Sequence, residues 1–146
     1  MNDKIVKAPW HLWVVGVFAL LFNSIGVFDY LMAMTRGADY MASTGMTADQ
    51  IAHYQNMPAW MTADWAIGVW GAFLASMLLL LRRRLAFAVF LLSLAAFLVS
   101  LLYTYVLTDG GAVMGQAMAI VSAVIAILLL FFSWYSHAMG KRGVLR

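Results

Sequence analysis

Four long apolar runs decide what this chain can become. They extend from about Trp10 to Met34, Ala59 to Leu81, Leu85 to Leu107 and Ala112 to Tyr135. A helix rises about 1.5 Å per residue, so about 20 apolar residues cross a hydrocarbon core of about 30 Å. Each run meets that length, and a chain of 146 residues has no room left for a separate soluble domain. The composition agrees, with 65% hydrophobic and 10% charged residues and a mean hydropathy of +0.89. Soluble chains run at about 45–50% apolar and about 25% charged. The expected fold class is an all-α integral membrane protein, residues 1–146 forming one domain of four transmembrane helices in an antiparallel bundle.

The first run is the least regular, because Asn23, Ser24 and Asp29 interrupt it. A cleaved signal peptide is the rival reading, with Lys4 and Lys7 as the basic start, Leu12 to Phe22 as the apolar stretch and Ser24 and Gly26 as a small-residue pair. The apolar pattern continues through Val27, Phe28, Tyr30, Leu31 and Met32, which favours a span.

Basic residues give the orientation. Lys4 and Lys7 precede the first span, Arg82, Arg83 and Arg84 separate the second from the third, and Lys141, Arg142 and Arg146 follow the fourth. Arg36 is alone on the other side. Both termini are therefore expected in the cytoplasm. This grouping at span ends also argues against a nucleic-acid partner, despite the net charge of +3. Trp10, Trp13, Trp60, Trp65, Trp134 and Tyr135 lie near span ends, where amphipathic rings settle at the headgroup level. The Arg82–Arg84 run reads first as an orientation signal and second as a holder of an anionic lipid headgroup.

Zero cysteine excludes dithiol redox chemistry, thiolate metal sites and covalent haem attachment. Haem would otherwise need His11 and His137 to face each other, and a metal would need His53 with Asp29, Asp64 and Asp109. No ligand spacing supports either. There is no phosphate-binding glycine loop and no nucleophile elbow, and the 11 methionines scatter among packing positions. The expectation is a protein that is not an enzyme, with no catalytic residue, no cofactor and no metal.

The outer loop, about residues 35–58, holds one element. Thr47 and Gln50 have capping-box spacing, which predicts a short helix from about Ala48 to Gln55. Pro58 suits the first turn of the second span, and Gly110-Gly111 reads as a tight outer turn. The tetrapeptide Met-Thr-Ala-Asp occurs at 46–49 and 61–64, with no larger repeat behind it.

Small residues recur at helical spacing in every span: Gly16, Ala19, Asn23 and Gly26; Gly68, Gly71, Ala72 and Ala75; Ser93, Ala96 and Ser100; Gly115, Ala119, Ser122 and Ala126. Such stripes let helix backbones approach closely where lipid gives no hydrophobic drive, so all four are expected to face a bundle. Polar groups lie beside them at a shared depth. Asp29, Asp64, Tyr103, Thr104 and Gln116 each fall about 9–10 Å outward of their span's middle, and Asn23 lies near the midplane. These six are the candidate substrate- or ion-binding residues, with helix cross-linking as the alternative role. Asp29 sits near a helix C-terminus, where the dipole disfavours a carboxylate, and is expected to be the better proton or cation ligand. Arg36, seven residues on, is within its reach.

Pro58-Ala-Trp60, Asp64-Trp65-Ala-Ile-Gly68-Val-Trp70-Gly71, the leucine run into Arg82-Arg83-Arg84 and the upstream Phe28-Asp29-Tyr30-Leu31 together resemble a family of short bacterial four-span membrane proteins, uncharacterised and often labelled sugar transporters. The resemblance covers most of the chain. It implies a multi-pass protein of the bacterial inner membrane and transfers no functional residue. The resulting expectation is small-solute transport, with sugars foremost, by a homo-oligomer in the lipid bilayer. The alternative is an accessory or assembly subunit bound to another membrane protein.

Overall fold

The computed structural model describes residues 6–146. The basic start at Lys4 lies outside that range. Six helices follow in order: α1 (Trp10–Arg36), α2 (Ala38–Ser43), α3 (Ala48–Gln55), α4 (Ala59–Leu80), α5 (Leu85–Leu102) and α6 (Gly110–Lys141). A π-helical turn, Tyr103–Leu107, prolongs α5. Four segments, Trp10–Arg36, Ala59–Leu80, Leu85–Leu107 and Gly110–Lys141, are long and apolar enough to cross a membrane, the architecture of a multi-pass membrane protein.

Small and weakly polar side chains share the interior with Leu12, Leu79, Phe90 and Phe132, while many other large apolar side chains face outward. Ala19, Ala72, Ala75, Ala86, Ser76 and Ser93 are buried, whereas Leu21, Ile25, Phe28, Leu92, Leu98, Ile120 and Ile127 are exposed. Water would not tolerate so continuous an apolar surface, and lipid requires it. The stripe of α1 lies on α4: a Cβ at Gly16 would meet the Leu80 side chain, and one at Gly26 would touch Val69. Between them Asn23 donates to Ser76 Oγ at 2.9 Å. The stripe of α4 also lies on α5, where Gly68 faces Ala96, Gly71 faces Ser93, and Ser93 Oγ donates to the Gly68 carbonyl at 2.6 Å.

The stripe of α6 does not behave as expected. Its buried residues are Gly110 and Met114 ahead of Gly115 and then, at the far end, Leu129, Phe132, Ser133, Tyr135, Ser136 and Met139. Gly115 and Ala119 are exposed, and Ser122 and Ala126 are half-buried. Only 17% of the most apolar α6 window is buried, against 22–28% in the other three helices. The reason lies at Gly115, whose φ of 78° and ψ of 180° break the helix into two pieces. A left-handed φ of this kind is inexpensive only for glycine. The kink redirects the first turn of α6 and leaves the stripe beyond it exposed at Ala119 and only half-covered at Ser122 and Ala126.

Two further departures concern the loops. Gly110 and Gly111, expected as a turn, are the first residues of α6, and the turn is Thr108-Asp109. Their lack of a side chain serves close approach instead. A Cβ at Gly110 would stand 2.8 Å from the Thr104 carbonyl oxygen, and one at Gly111 would stand 2.8 Å from the Tyr105 ring. Pro58 is the N-cap of α4 rather than part of its first turn. The short helix Ala48–Gln55 forms with its complete capping box, but α2 ahead of it has no comparable sequence signal. At the other end the chain is latched. Arg82 takes a positive φ of 58° and donates from Nε to Val144 O and from Nη2 to Val6 O. Arg84 Nε donates to Leu145 O, and main-chain bonds join Arg82 and Arg84 to Arg146. Val144 and Leu145 are thereby sealed into the core.

Candidate functional site

The six candidate residues occupy one half of the molecule but do not converge on one another through hydrogen bonds. Asp29, near the C-terminal end of α1, is exposed and accepts from the Tyr40 hydroxyl at 2.8 Å. Its partner is therefore a tyrosine of α2, not Arg36. The bond holds the Tyr40 phenol above its ordinary range, first because ionisation would lose the donor and then through burial and the adjacent negative charge.

Asp64 is half-buried, and its Oδ2 is enclosed without a hydrogen-bond partner. It is the sixth residue of α4, past the turn whose free N–H groups could have received it. The two carboxylates therefore differ in their hydrogen bonding. Asp29 is engaged, and Asp64 holds the unused acceptor.

Tyr103 and Thr104 lie in the π-helical turn, where the wider backbone spiral re-aims side chains relative to an α-helix. The Tyr103 ring packs against Trp60 and His53 at centroid distances of 5.7 and 5.9 Å. The Thr104 and Tyr103 carbonyls accept from the Thr108 hydroxyl, which itself accepts from the Gly110 N–H. One hydroxyl thus satisfies the end of one helical segment and the start of the next. Gln116, expected to face the interior, is exposed, because it follows the Gly115 kink. Asn23 is buried and spent on α4, donating to Ser76 Oγ and, at 3.4 Å, to Ala72 O. It cross-links helices below the other five.

What joins this half together is an aromatic layer with α3 laid across it. Trp65 contacts Tyr30 at 5.1 Å and Tyr54 at 5.7 Å, and Tyr54 contacts His53 at 6.0 Å. Burial pushes the Tyr54 phenol up, with Asp29 and Tyr105 adding to the effect, and burial pulls His53 below the ordinary imidazole range. The strongest tie is Gln50. Its Oε1 closes the capping box by accepting from Thr47 N at 3.1 Å, and its Nε2 donates to Val113 O and Met114 O, each at 3.3 Å. Those carbonyls immediately precede Gly115, whose non-helical φ and ψ interrupt the helical ladder there. Gln50 therefore substitutes for the lost turn. Sequence reasoning found the cap but not this second duty. The available signal was a glycine inside a helical pattern, at Gly115.

Two clefts, of about 330 and 310 Å³, lie at the opposite end, beside the Arg82–Arg84 turn. There too His11 bonds the Tyr135 hydroxyl, and His137 packs on Phe87 at 4.8 Å, so the two histidines have separate partners. Among the described residues no group of three or more His, Asp or Glu is placed to hold a metal ion. Comparison of the chain with family models, with curated proteins and with solved structures finds no match in any of the three.

Proposed function

We propose that this chain is a multi-pass protein of the bacterial inner membrane, with both termini cytoplasmic, that moves a small polar solute as a homo-oligomer. Sugars are the first class to test, on the resemblance of its motifs. The grouping of basic residues at one end supports the orientation. An antiparallel arrangement is supported by the order of contacts: Gly16, Asn23 and Gly26 meet Leu80, Ser76 and Val69, and Gly68 and Gly71 meet Ala96 and Ser93.

The observation that carries the reading is the unpacked outer half of α6. Gln116 and Ala119 are exposed and Ser122 is half-buried, a polar and small-residue face left largely open, and Asp64 Oδ2 is enclosed without a partner. A polar side chain facing lipid is costly, and a small-residue face is what a second helix approaches. Alternating access commonly uses paired repeats, and this chain has none, so a second copy supplies the other half. Asp64, Tyr103, Thr104 and Gln116 then border the route. A second reading, an accessory subunit bound to another membrane protein, draws on the same face and on the local satisfaction of Asp29 and Asn23.

Thermal unfolding of the purified protein against sugars and cations tests the proposal, because a ligand of the folded state raises its apparent stability. A solute that stabilises the wild type but not Asp64→Asn, and that enters proteoliposomes saturably, is the expected result. Failure of every solute to shift the wild type, while Asp64→Asn and Asp29→Asn both melt lower, would reduce the layer to helix cross-linking.

A further inference from the structure

Ser136 is 1% exposed, and its hydroxyl has no hydrogen-bond partner. The other fully buried serines of the spans behave differently: Ser76 and Ser133 donate to the carbonyl four residues back, and Ser93 donates across to α4. An unpartnered buried hydroxyl is destabilising unless something is there to receive it. Ser136 lines the 310 Å³ cleft together with Arg84, Phe87, His137, Gly140 and Lys141. The cleft opens at the first turn of α5, an 18-residue helix whose N-terminal dipole favours an anion. Arg84 is held in place there by its Nε bond to Leu145 O. Among the described residues no bond takes its Nη atoms or the Lys141 ammonium. The described acidic side chains, Asp29, Asp39, Asp49, Asp64 and Asp109, belong to the other end.

From this arrangement we propose that the cleft binds the phosphate of an anionic phospholipid headgroup, with Arg84 and Lys141 supplying charge and Ser136 a hydroxyl donor. Two cations and one neutral donor around a cavity of this size suit a phosphodiester. Leu85 and Trp134, both more than half exposed, continue the surface toward the apolar belt and provide a bed for the acyl chains. The inference rests on membrane embedding and is independent of transport.

The full-length protein in zwitterionic detergent, titrated with short-chain phosphatidylglycerol, phosphatidylcholine or inorganic phosphate, gives the test. Phosphatidylglycerol should raise the apparent Tm while phosphatidylcholine does not, and inorganic phosphate should compete with that shift. Ser136→Ala and Lys141→Gln should each weaken the response about tenfold. The exposed Arg142→Gln, outside the cleft, should not. Without lipid, Ser136→Ala should melt no lower than the wild type, since it removes an unpartnered hydroxyl, which separates lost binding from lost folding. Equal responses to the two lipids, wild-type titrations from both cleft variants, or a shift from inorganic phosphate with none from phosphatidylglycerol would overturn the proposal.

Discussion

Gln50 performs two tasks that substitution can separate. In Gln50→Ala both disappear: the Oε1 acceptor of the Thr47 N–H and the Nε2 donor to Val113 O and Met114 O. Loss of the reciprocal cap costs about 0.5–1 kcal/mol, and carbonyls left without a donor at the kink add about 0.5–2 kcal/mol. The expected sum is about 1–3 kcal/mol, a fall in Tm of about 3–9 °C for a chain of this size. Gln50→Glu keeps an acceptor for Thr47 N but replaces the amide donor with negative charge beside two carbonyl oxygens. It should therefore retain the α3 cap while losing the tie to α6. Hydrogen exchange followed by mass spectrometry reads both ends. Gln50→Ala should deprotect residues 48–55 and 112–118, and Gln50→Glu chiefly 112–118. Wild-type protection at 112–118 in Gln50→Glu would refute the claim that this amide replaces the turn broken at Gly115.

Gly110→Ala gains about 1 kcal/mol of helix propensity but places a methyl 2.8 Å from the Thr104 carbonyl oxygen and 2.7 Å from His53, so overpacking of about 1–3 kcal/mol should win and lower the Tm in detergent. Arg82→Gly relieves a left-handed φ worth about 1–2 kcal/mol but loses charge-assisted bonds to Val144 O and Val6 O; limited proteolysis should cut the tail after residue 143 sooner than in the wild type. His53 has its folded pKa lowered by burial, so the unfolded chain takes up the proton more readily; stability is full above about pH 6.5 and declines as pH falls below it. Exchange at residues 48–55, corrected for intrinsic rate, should rise between pH 7.5 and 5, and His53→Gln should flatten that dependence.

The spans were legible because lipid imposes a length and a composition that no local detail overrides, and Trp10, Ala59 and Leu85 begin their helices where the apolar runs begin. The stripes of α1, α4 and α5 were legible for a related reason, since small residues three and four apart have one use in a helix surrounded by lipid. Gly115 shows the limit. Spacing counts it as one more member of a stripe, whereas its positive φ makes it the point where the stripe is cut off from the bundle. The partners within the polar layer were not legible either: depth follows from counting residues, but partners depend on what the loops bring back. Tyr40 reaches Asp29 from α2, and nothing in residues 38–43 announces that return. Arg82–Arg84 read as an orientation signal, and the structure adds a latch that needs Val144–Arg146, a contact too distant in sequence to infer from pattern.

The absence of cysteine from the chain makes the claim of a second copy on α6 directly testable. Single substitutions Ala119→Cys, on the unpacked small-residue face, and Val121→Cys, about 160° around the same helix, can be oxidised in native membranes and resolved on a non-reducing gel. The homo-oligomer predicts a disulfide-linked dimer from Ala119→Cys and monomer from Val121→Cys. Monomer from both, equal cross-linking from both, or capture of a different protein by Ala119→Cys would contradict it.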